Sequence, residues 1–350
     1  MTRFIGVESL ARIVHEIGIE PFLIGLAGHV GQDFRRWAEF HKVPRHASHS
    51  DLGVVELMPI SDADRFAFKY VNGHPGNGRA GLLTVAAFGV LADMDTGYPR
   101  LVAEMTLLTA LRTAATSALV ASHLARPDSC VMAMIGLGAQ SDFQALAFRA
   151  LLGIDRLRVY DVDPASTAKF VRNMTAQGFA VEAFDNAHEA VMSADIITTA
   201  TADKRNATIL SDNMVGAGIH INAIGGDCPG KTELQREILQ RASVFVELEE
   251  QTRIEGELQQ MPADFPVTEV WRVLSGLEPG RTSAAQITLF DSVGFALEDF
   301  SALRYLDALT CDDADITKID LIARPDDPFD LFGMLQRYRP AHPPLVAVPA

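Results

Sequence analysis

Three groups of residues in this sequence could do chemistry: a glycine turn suited to phosphates, cations set in apolar segments, and an aspartate on a glycine-rich loop. Gly136-Leu137-Gly138-Ala139-Gln140-Ser141 follows the apolar run 130–135 and opens a helical pattern. In this G-x-G-x-x-S the first glycine permits a tight strand-to-helix turn, and the second lets the backbone approach a pyrophosphate. Amide groups at the following helix N-terminus then face the phosphates. Ser141 replaces the usual third glycine and is small enough for close helix packing. Taken alone, such a turn often does nothing but turn. Its context is more informative, because Asp161 ends the next apolar run 23 residues beyond Gly138. That is near the spacing of an acid that binds a ribose hydroxyl. Asp163 fits the alternative role, a helix cap, better than Asp161 does. With two acids here and no arginine directly following, NAD is favoured over NADP.

Lys69 lies in Phe66-Ala67-Phe68-Lys69-Tyr70-Val71, and Arg112 in Thr109-Ala110-Leu111-Arg112-Thr113-Ala114-Ala115. A cation in an apolar segment must find a partner or reach water. An edge-strand lysine reaching solvent and an arginine in a structural ion pair are the plain readings. Arg45 sits in an evident loop. Together the three could clamp a substrate carboxylate through charge-assisted donors. Asp227 lies in Ile224-Gly225-Gly226-Asp227-Cys228-Pro229-Gly230-Lys231, directly after an apolar strand. Loops at the carboxyl ends of parallel strands hold ligands, so Asp227 is a candidate general acid/base; turn formation is its alternative. Cys228 has no visible paired base. His46 and His49 lack the carboxylates a metal site would need, so no metal is expected.

The elements that must position these groups fall into two patterns. Residues 9–17 read as an opening helix. Residues 54–59, 65–71 and 82–92 read as strands, and Asp93-Met94-Asp95-Thr96-Gly97 as the turn before a returning strand at 99–104. Residues 106–125 then read as a long helix. After Pro127, strands at 130–135, 157–160, 181–184, 195–199, 219–223 and 244–246 alternate with helices at 140–152 and 164–177. Such alternation implies a parallel, doubly wound sheet with right-handed crossovers. Residues 287–303 read as a strand entering a helix that returns the chain to the first unit. The expected fold is α/β: a Rossmann-type domain over 118–309, beside an α+β substrate-binding and dimerisation domain from 1–117 with 310–350. The proline-rich tail beyond Arg339 is expected to be irregular.

The 350 residues carry a formal charge of −15, and 48% of them are hydrophobic. That length can support two cores. The acidic balance argues against nucleic acid and anionic membranes as partners. Cys130, Cys228 and Cys311 fit neither zinc spacing nor a disulfide framework. No apolar segment is long enough for a signal peptide or a membrane span, so a cytoplasmic protein is expected.

Four segments together resemble the ornithine cyclodeaminase/mu-crystallin family: Lys69-Tyr70-Val71-Asn72-Gly73-His74-Pro75, Leu111-Arg112-Thr113-Ala114-Ala115, the glycine turn 136–141, and Gly225-Gly226-Asp227-Cys228-Pro229-Gly230-Lys231-Thr232-Glu233-Leu234. The similarity runs from about Arg45 to about Asp299. It implies a homodimeric NAD enzyme converting L-ornithine to L-proline and ammonia. Arg45, Lys69 and Arg112 would hold the substrate carboxylate, Glu56 would support the substrate, Val293 would touch it, and Asp227 would be the acid/base. Thr84, Arg112, Gly136, Gly138, Ala139, Gln140, Asp161, Thr201, Ile221, Asn222, Ala223, Ile224, Lys231 and Ser292 would line the NAD site. Other members are lysine cyclodeaminases, amino-acid dehydrogenases, cyclic-imine reductases and non-catalytic crystallins. Asp227 disfavours the reductase branch, and the intact set of three cations and an acid disfavours the crystallins.

Overall fold

The computed structural model describes residues 1–201 and 207–337; the expectation for the tail beyond Arg339 lies outside the described residues. The chain first lays down β1 (Thr2–Ile5), α1 (Val7–Ile17), α2 (Ile19–Arg35), β2 (His41–Lys42), β3 (His46–Ser50), β4 (Gly53–Ser61), β5 (Arg65–Gly73), β6 (Ala87–Asp93) and β7 (Pro99–Glu104). β4 to β7 form an antiparallel meander, while β1 adds to β7 in parallel. Side chains of β5 alternate between faces: Ala67, Lys69 and Val71 are buried, and Phe66, Phe68 and Tyr70 point the other way. This period of two turns Lys69 away from water.

Two features differ from what the sequence pattern leads one to expect. Residues 82–86 are not strand, because β6 begins only at Ala87. The glycine-rich stretch 75–81 forms a 3-10 turn that ends at Gly81 with φ 72°, so the chain re-enters the sheet late. Helix α2 has no clear helical signature, because Pro21, Gly25, Gly28 and Gly31 all weaken helix propensity. Proline in the first turn is tolerated. A Cβ at Gly25 would overlap the Tyr305 hydroxyl, so this glycine allows close packing.

The remainder runs α3 (Thr106–Leu124), β8 (Val131–Ile135), α4 (Ser141–Leu152), β9 (Arg156–Tyr160), α5 (Pro164–Ala176), β10 (Ala180–Ala183), α6 (Ala187–Val191), β11 (Ile196–Thr199), β12 (His220–Ala223), α7 (Arg236–Arg241), β13 (Ser243–Val246), α8 (Glu249–Glu255), β14 (Thr268–Glu269), α9 (Val270–Leu274), β15 (Thr288–Asp291), α10 (Ala296–Thr310), β16 (Thr317–Ile319) and α11 (Leu331–Arg337). Its strands form one parallel sheet in the order β10-β9-β8-β11-β12-β15-β13-β14. Winding reverses between β8 and β11, which opens a crevice at their carboxyl ends, the usual place for a ligand in such sheets. β16 returns to pair with β1 at the edge of the first sheet.

Two helices bind the sheets together. α3 buries Leu108, Leu111, Ala114, Ala115, Ala118, Ala121 and Leu124, and packs against β6, β12 and β15. Each fully buried leucine contributes about 1.5–3 kcal/mol. α10 lies across β4, β5 and β6 and also packs on α2 and α3. The seam between the sheets is therefore apolar, yet Arg112 of α3 and Glu298 and Asp299 of α10 are buried in it.

Candidate active site

β8 is almost wholly buried and delivers the chain into Gly136, whose φ is 95°. A Cβ there would stand 2.6 Å from the Ala200 carbonyl oxygen, so the turn requires glycine. A Cβ on Gly138 would meet nothing within 4 Å, so its face is open. Ser141 starts α4, is fully buried, and donates to the Gly138 carbonyl at 2.8 Å. Gln140 precedes it with a buried Oε1 that has no hydrogen-bond partner among the described residues. Asp161 accepts from the Leu137 amide at 2.6 Å and the Asp163 amide at 2.8 Å, tying the glycine turn to the end of β9. Asp163 caps α5 through the Ala165 and Ser166 amides, as its spacing suggests. Lys169, which no sequence motif marks, donates to the Gly138 carbonyl at 3.1 Å and pairs with Asp142 at 2.6 Å.

The same crevice continues along the sheet. Thr201 donates its amide to Glu233 at 2.8 Å and also its hydroxyl. Ile221 and Ala223 are buried in β12, and Ile224 donates to the Thr199 carbonyl at 3.0 Å. Asn222 donates to Gln144 and Thr198, each at 3.3 Å, and its own buried oxygen lacks a partner among the described residues. Ser292 donates to Glu247 at 2.5 Å. Thr84 is exposed on the loop before β6, where its carbonyl accepts from the His74 amide at 2.8 Å; no described hydrogen bond or ion pair joins it to the others. These residues fit a dinucleotide. Gly138 leaves the space a pyrophosphate needs, and the unpartnered Gln140 and Asn222 oxygens are acceptors left for a ligand.

The cations converge in the seam. Lys69 bonds Asp299 at 2.9 Å, and both side chains are 2% exposed. Burial pulls the Lys69 ammonium down to about 8; Asp299 opposes this, while Arg112 and Arg45 reinforce it. Those mutual effects put the three cations within charge range of one another. Arg112 pairs with Glu298 and, at 3.0 Å, with Asp299. Burial acts against its charge, but Asp299, Glu298 and Glu247 outweigh that and raise its pKa. A Cβ at Gly294, where φ is 73°, would stand 2.9 Å from Arg112, so glycine permits the approach. Arg45 is no solvated loop residue. It reaches Glu56 at 3.2 Å, Glu255 at 3.3 Å, and the carbonyls of Val293 and Gly294 at 2.9 and 2.6 Å.

Asp227 sits on the loop after β12, half exposed, 3.4 Å from buried Lys231. Its charge is felt at Glu255, so it lies on the Arg45 side of the crevice. Behind this surface lies a set of buried acids that sequence reasoning does not find. Asp291 accepts the amides of Glu257 and Leu258, both at 2.9 Å. Glu257 accepts those of Glu233 and Leu234 at 2.6 and 3.1 Å, and Glu233 holds Thr201. Glu247 accepts from Ser292, Val293 and Gly294. Burial pushes Asp291 up to about 7 and Glu257 and Glu298 up to about 8. These acids pin the loops at the ends of β11, β12, β13 and β15. In the sequence each looks like an ordinary surface acid; the one signal is a place directly after an apolar run, as in Val244-Phe245-Val246-Glu247 and Leu289-Phe290-Asp291.

The pattern of the ornithine cyclodeaminase/mu-crystallin family matches residues 7–310. The chain belongs to that family. It is 61% identical over 334 residues to the ornithine cyclodeaminase of Agrobacterium fabrum, covering 95% of this chain and 94% of the relative. Among solved structures, a lysine cyclodeaminase described as recognising L-lysine, L-ornithine and L-2,4-diaminobutyric acid superposes with a TM-score of 0.87 at 32% identity, covering 94% of this chain and 98% of that one. An archaeal alanine dehydrogenase dimer with bound NAD superposes with a TM-score of 0.84 at 31% identity, covering 92% of this chain and 99% of that one. The α/β fold with its parallel nucleotide sheet is shared with these neighbours.

Proposed function

We propose that this chain converts L-ornithine to L-proline and ammonia, with NAD as a recycled cofactor. The observation that carries the reading is the convergence of Arg45, Lys69 and Arg112 beside Asp227 at the mouth of a dinucleotide crevice, in a chain so similar to a curated ornithine cyclodeaminase.

NAD is held by the glycine turn 136–141, Asp161, Thr201, residues 221–224, Lys231 and Ser292, with Thr84 and Arg112 at its edge. Bound there, NAD would supply a reversible hydride acceptor for the substrate's α carbon. The three cations fix the substrate carboxylate, with Glu56 supporting the substrate and Val293 against it. Asp227 takes the proton the α-amine must lose and returns one to the product nitrogen. Holding both ends of one diamine in a single pocket makes ring closure intramolecular, worth about 7–11 kcal/mol in the best oriented cases. Burial of Lys69, Arg112 and Val293 keeps water from hydrolysing the imine.

Among the described residues, 1–117 with 310–337 form the substrate-binding unit and the rest the nucleotide unit, with α3 and α10 spanning the seam. A second copy covers the open face of the first sheet, where Leu57, Tyr70 and Phe88 are each more than a third exposed. No described helix is long and apolar enough to cross a membrane; the cytoplasm, with its NAD pool, is the proposed location. The test is product stoichiometry with excess L-ornithine and a trace of NAD+. Proline and ammonia in equal amounts, far exceeding the NAD+, support the reading; NADH accumulating with an oxo acid would mark a dehydrogenase instead.

A further inference from the structure

Cyclodeamination moves two protons that one carboxylate cannot handle together. The α-amine gives one up when the α carbon is oxidised. The distal ammonium must give up another before its nitrogen can attack, because a protonated amine has no lone pair. With Asp227 serving the α-amine, the distal ammonium needs its own acceptor. For a five-membered ring, the distal nitrogen must come to about 3 Å from the α carbon before bonding. That carbon carries the carboxylate, so the acceptor should stand beside the carboxylate clamp, not at a remote end of the pocket.

Glu298 and Asp299 stand there too, but they are ion-paired with Arg112 and Lys69; three further acids stand on the Arg45 side. Glu56 has both oxygens engaged by Arg45, at 3.3 and 3.2 Å. Asp227 is half exposed and faces Lys231. Glu255, the last residue of α8, is 8% exposed. Its Oε2 faces Arg45 Nε at 3.3 Å, yet the two make no hydrogen bond, and both atoms are buried without a hydrogen-bond partner among the described residues. A buried carboxylate oxygen left open in this way has free capacity for a ligand donor. The groups acting on Glu255 are Arg45 and Glu56 from the first sheet and Asp227 from the loop after β12.

We propose that Glu255 is the catalytic base for the distal ammonium of the substrate, a role resting on the proposed cyclodeamination. Its carboxylate takes one proton, freeing the nitrogen lone pair. The lone pair bonds to the α carbon while the C=N π pair moves onto the α nitrogen. Glu255 gives its proton to the α nitrogen and takes one from the ring nitrogen, which restores a lone pair there. The α nitrogen then departs as ammonia with the C–N bonding pair, as that lone pair forms the protonated cyclic imine. The proton on Glu255 leaves with the ammonia, and the proton on Asp227 ends on the proline nitrogen. Burial, opposed by Arg45 and aided by Glu56 and Asp227, pushes the Glu255 carboxyl up to about 7. A group poised there can both take and return a proton near neutrality.

Glu255 could instead serve only to hold Arg45, and the two roles separate in Glu255→Gln, which keeps size and polarity. The proposal expects proline formation to fall about 100-fold, while L-proline, which has no distal amine, still binds within twofold. It also expects oxidation of the α carbon to proceed, so that mixing the NAD-loaded variant with ornithine builds NADH absorbance approaching one per site. Glu255→Asp should recover part of the lost turnover. Unchanged turnover in Glu255→Gln would overturn the proposal, as would joint loss of proline affinity and NADH formation. Should the glutamine variant fail to fold, Glu255→Asp decides: turnover slowed tenfold with NADH building supports the role, and wild-type turnover refutes it. Failure of the unaltered protein to turn over ornithine would count against the proposed function itself.

Discussion

Removing Asp299 should expose how the cation seam is held. Lys69 and Asp299 are each 2% exposed and 2.8 Å apart, and Asp299 also faces Arg112 at 3.0 Å. Asp299→Ala leaves a buried ammonium without its carboxylate and two cations sharing Glu298. Removing one partner of a buried pair costs about 3–5 kcal/mol, because the remaining charge stays desolvated. That is a large part of the roughly 5–15 kcal/mol by which folded proteins are stable. Urea unfolding at pH 7, followed by circular dichroism, measures it. A carboxylate ligand supplies the missing charge, so saturating L-proline should stabilise the variant more than the unaltered protein; binding at 100 times Kd adds about 2.7 kcal/mol. The double variant Lys69→Met/Asp299→Leu should recover most of the stability, since neither charge is then buried. A loss below about 1 kcal/mol in Asp299→Ala, with no extra gain from proline, would refute the reasoning.

Further predictions concern the crevice. Gly136→Ala places a methyl against the Ala200 carbonyl at a φ of 95°; it should cost about 1–3 kcal/mol and weaken NAD binding, measured by calorimetry. Asp227→Asn should abolish turnover while leaving the NAD dissociation constant within about twofold. Lys69 titrates at about 8, and only its charged form attracts a carboxylate. Proline affinity should therefore be constant below pH 7 and fall about tenfold per pH unit well above 8, approaching the affinity of Lys69→Met.

Much of this arrangement is legible in the amino-acid sequence alone. The glycine turn, Asp161 and the strand–helix alternation from 130 onward are local patterns, and local patterns survive into the fold. The inward turn of Lys69 is not legible: its plain reading is an edge-strand lysine reaching solvent, and α10 packing on β5 buries that face instead. Arg45 is legible only through the family resemblance, because its burial depends on contacts with Val293 and Gly294, about 250 residues away in the chain. Helix α2 is hidden by glycines, one of which serves packing against a helix near the chain's other end. The buried acids Glu233, Glu247, Glu257 and Asp291 are least legible: no periodicity marks an acid that accepts backbone amides from a distant loop. Glu298 and Asp299 likewise look like ordinary first-turn acids of a helix until α3 places Arg112 against them.

The central claim is that hydride leaves and returns to the same carbon while the ring closes. L-Ornithine carrying deuterium at its α carbon tests this most directly, with mass spectrometry of the proline formed over many turnovers in ordinary water. The account predicts proline that keeps the deuterium at the ring carbon bearing the carboxylate, with no NADH released. Proline carrying hydrogen there, or one NADH released per ornithine consumed, would contradict it.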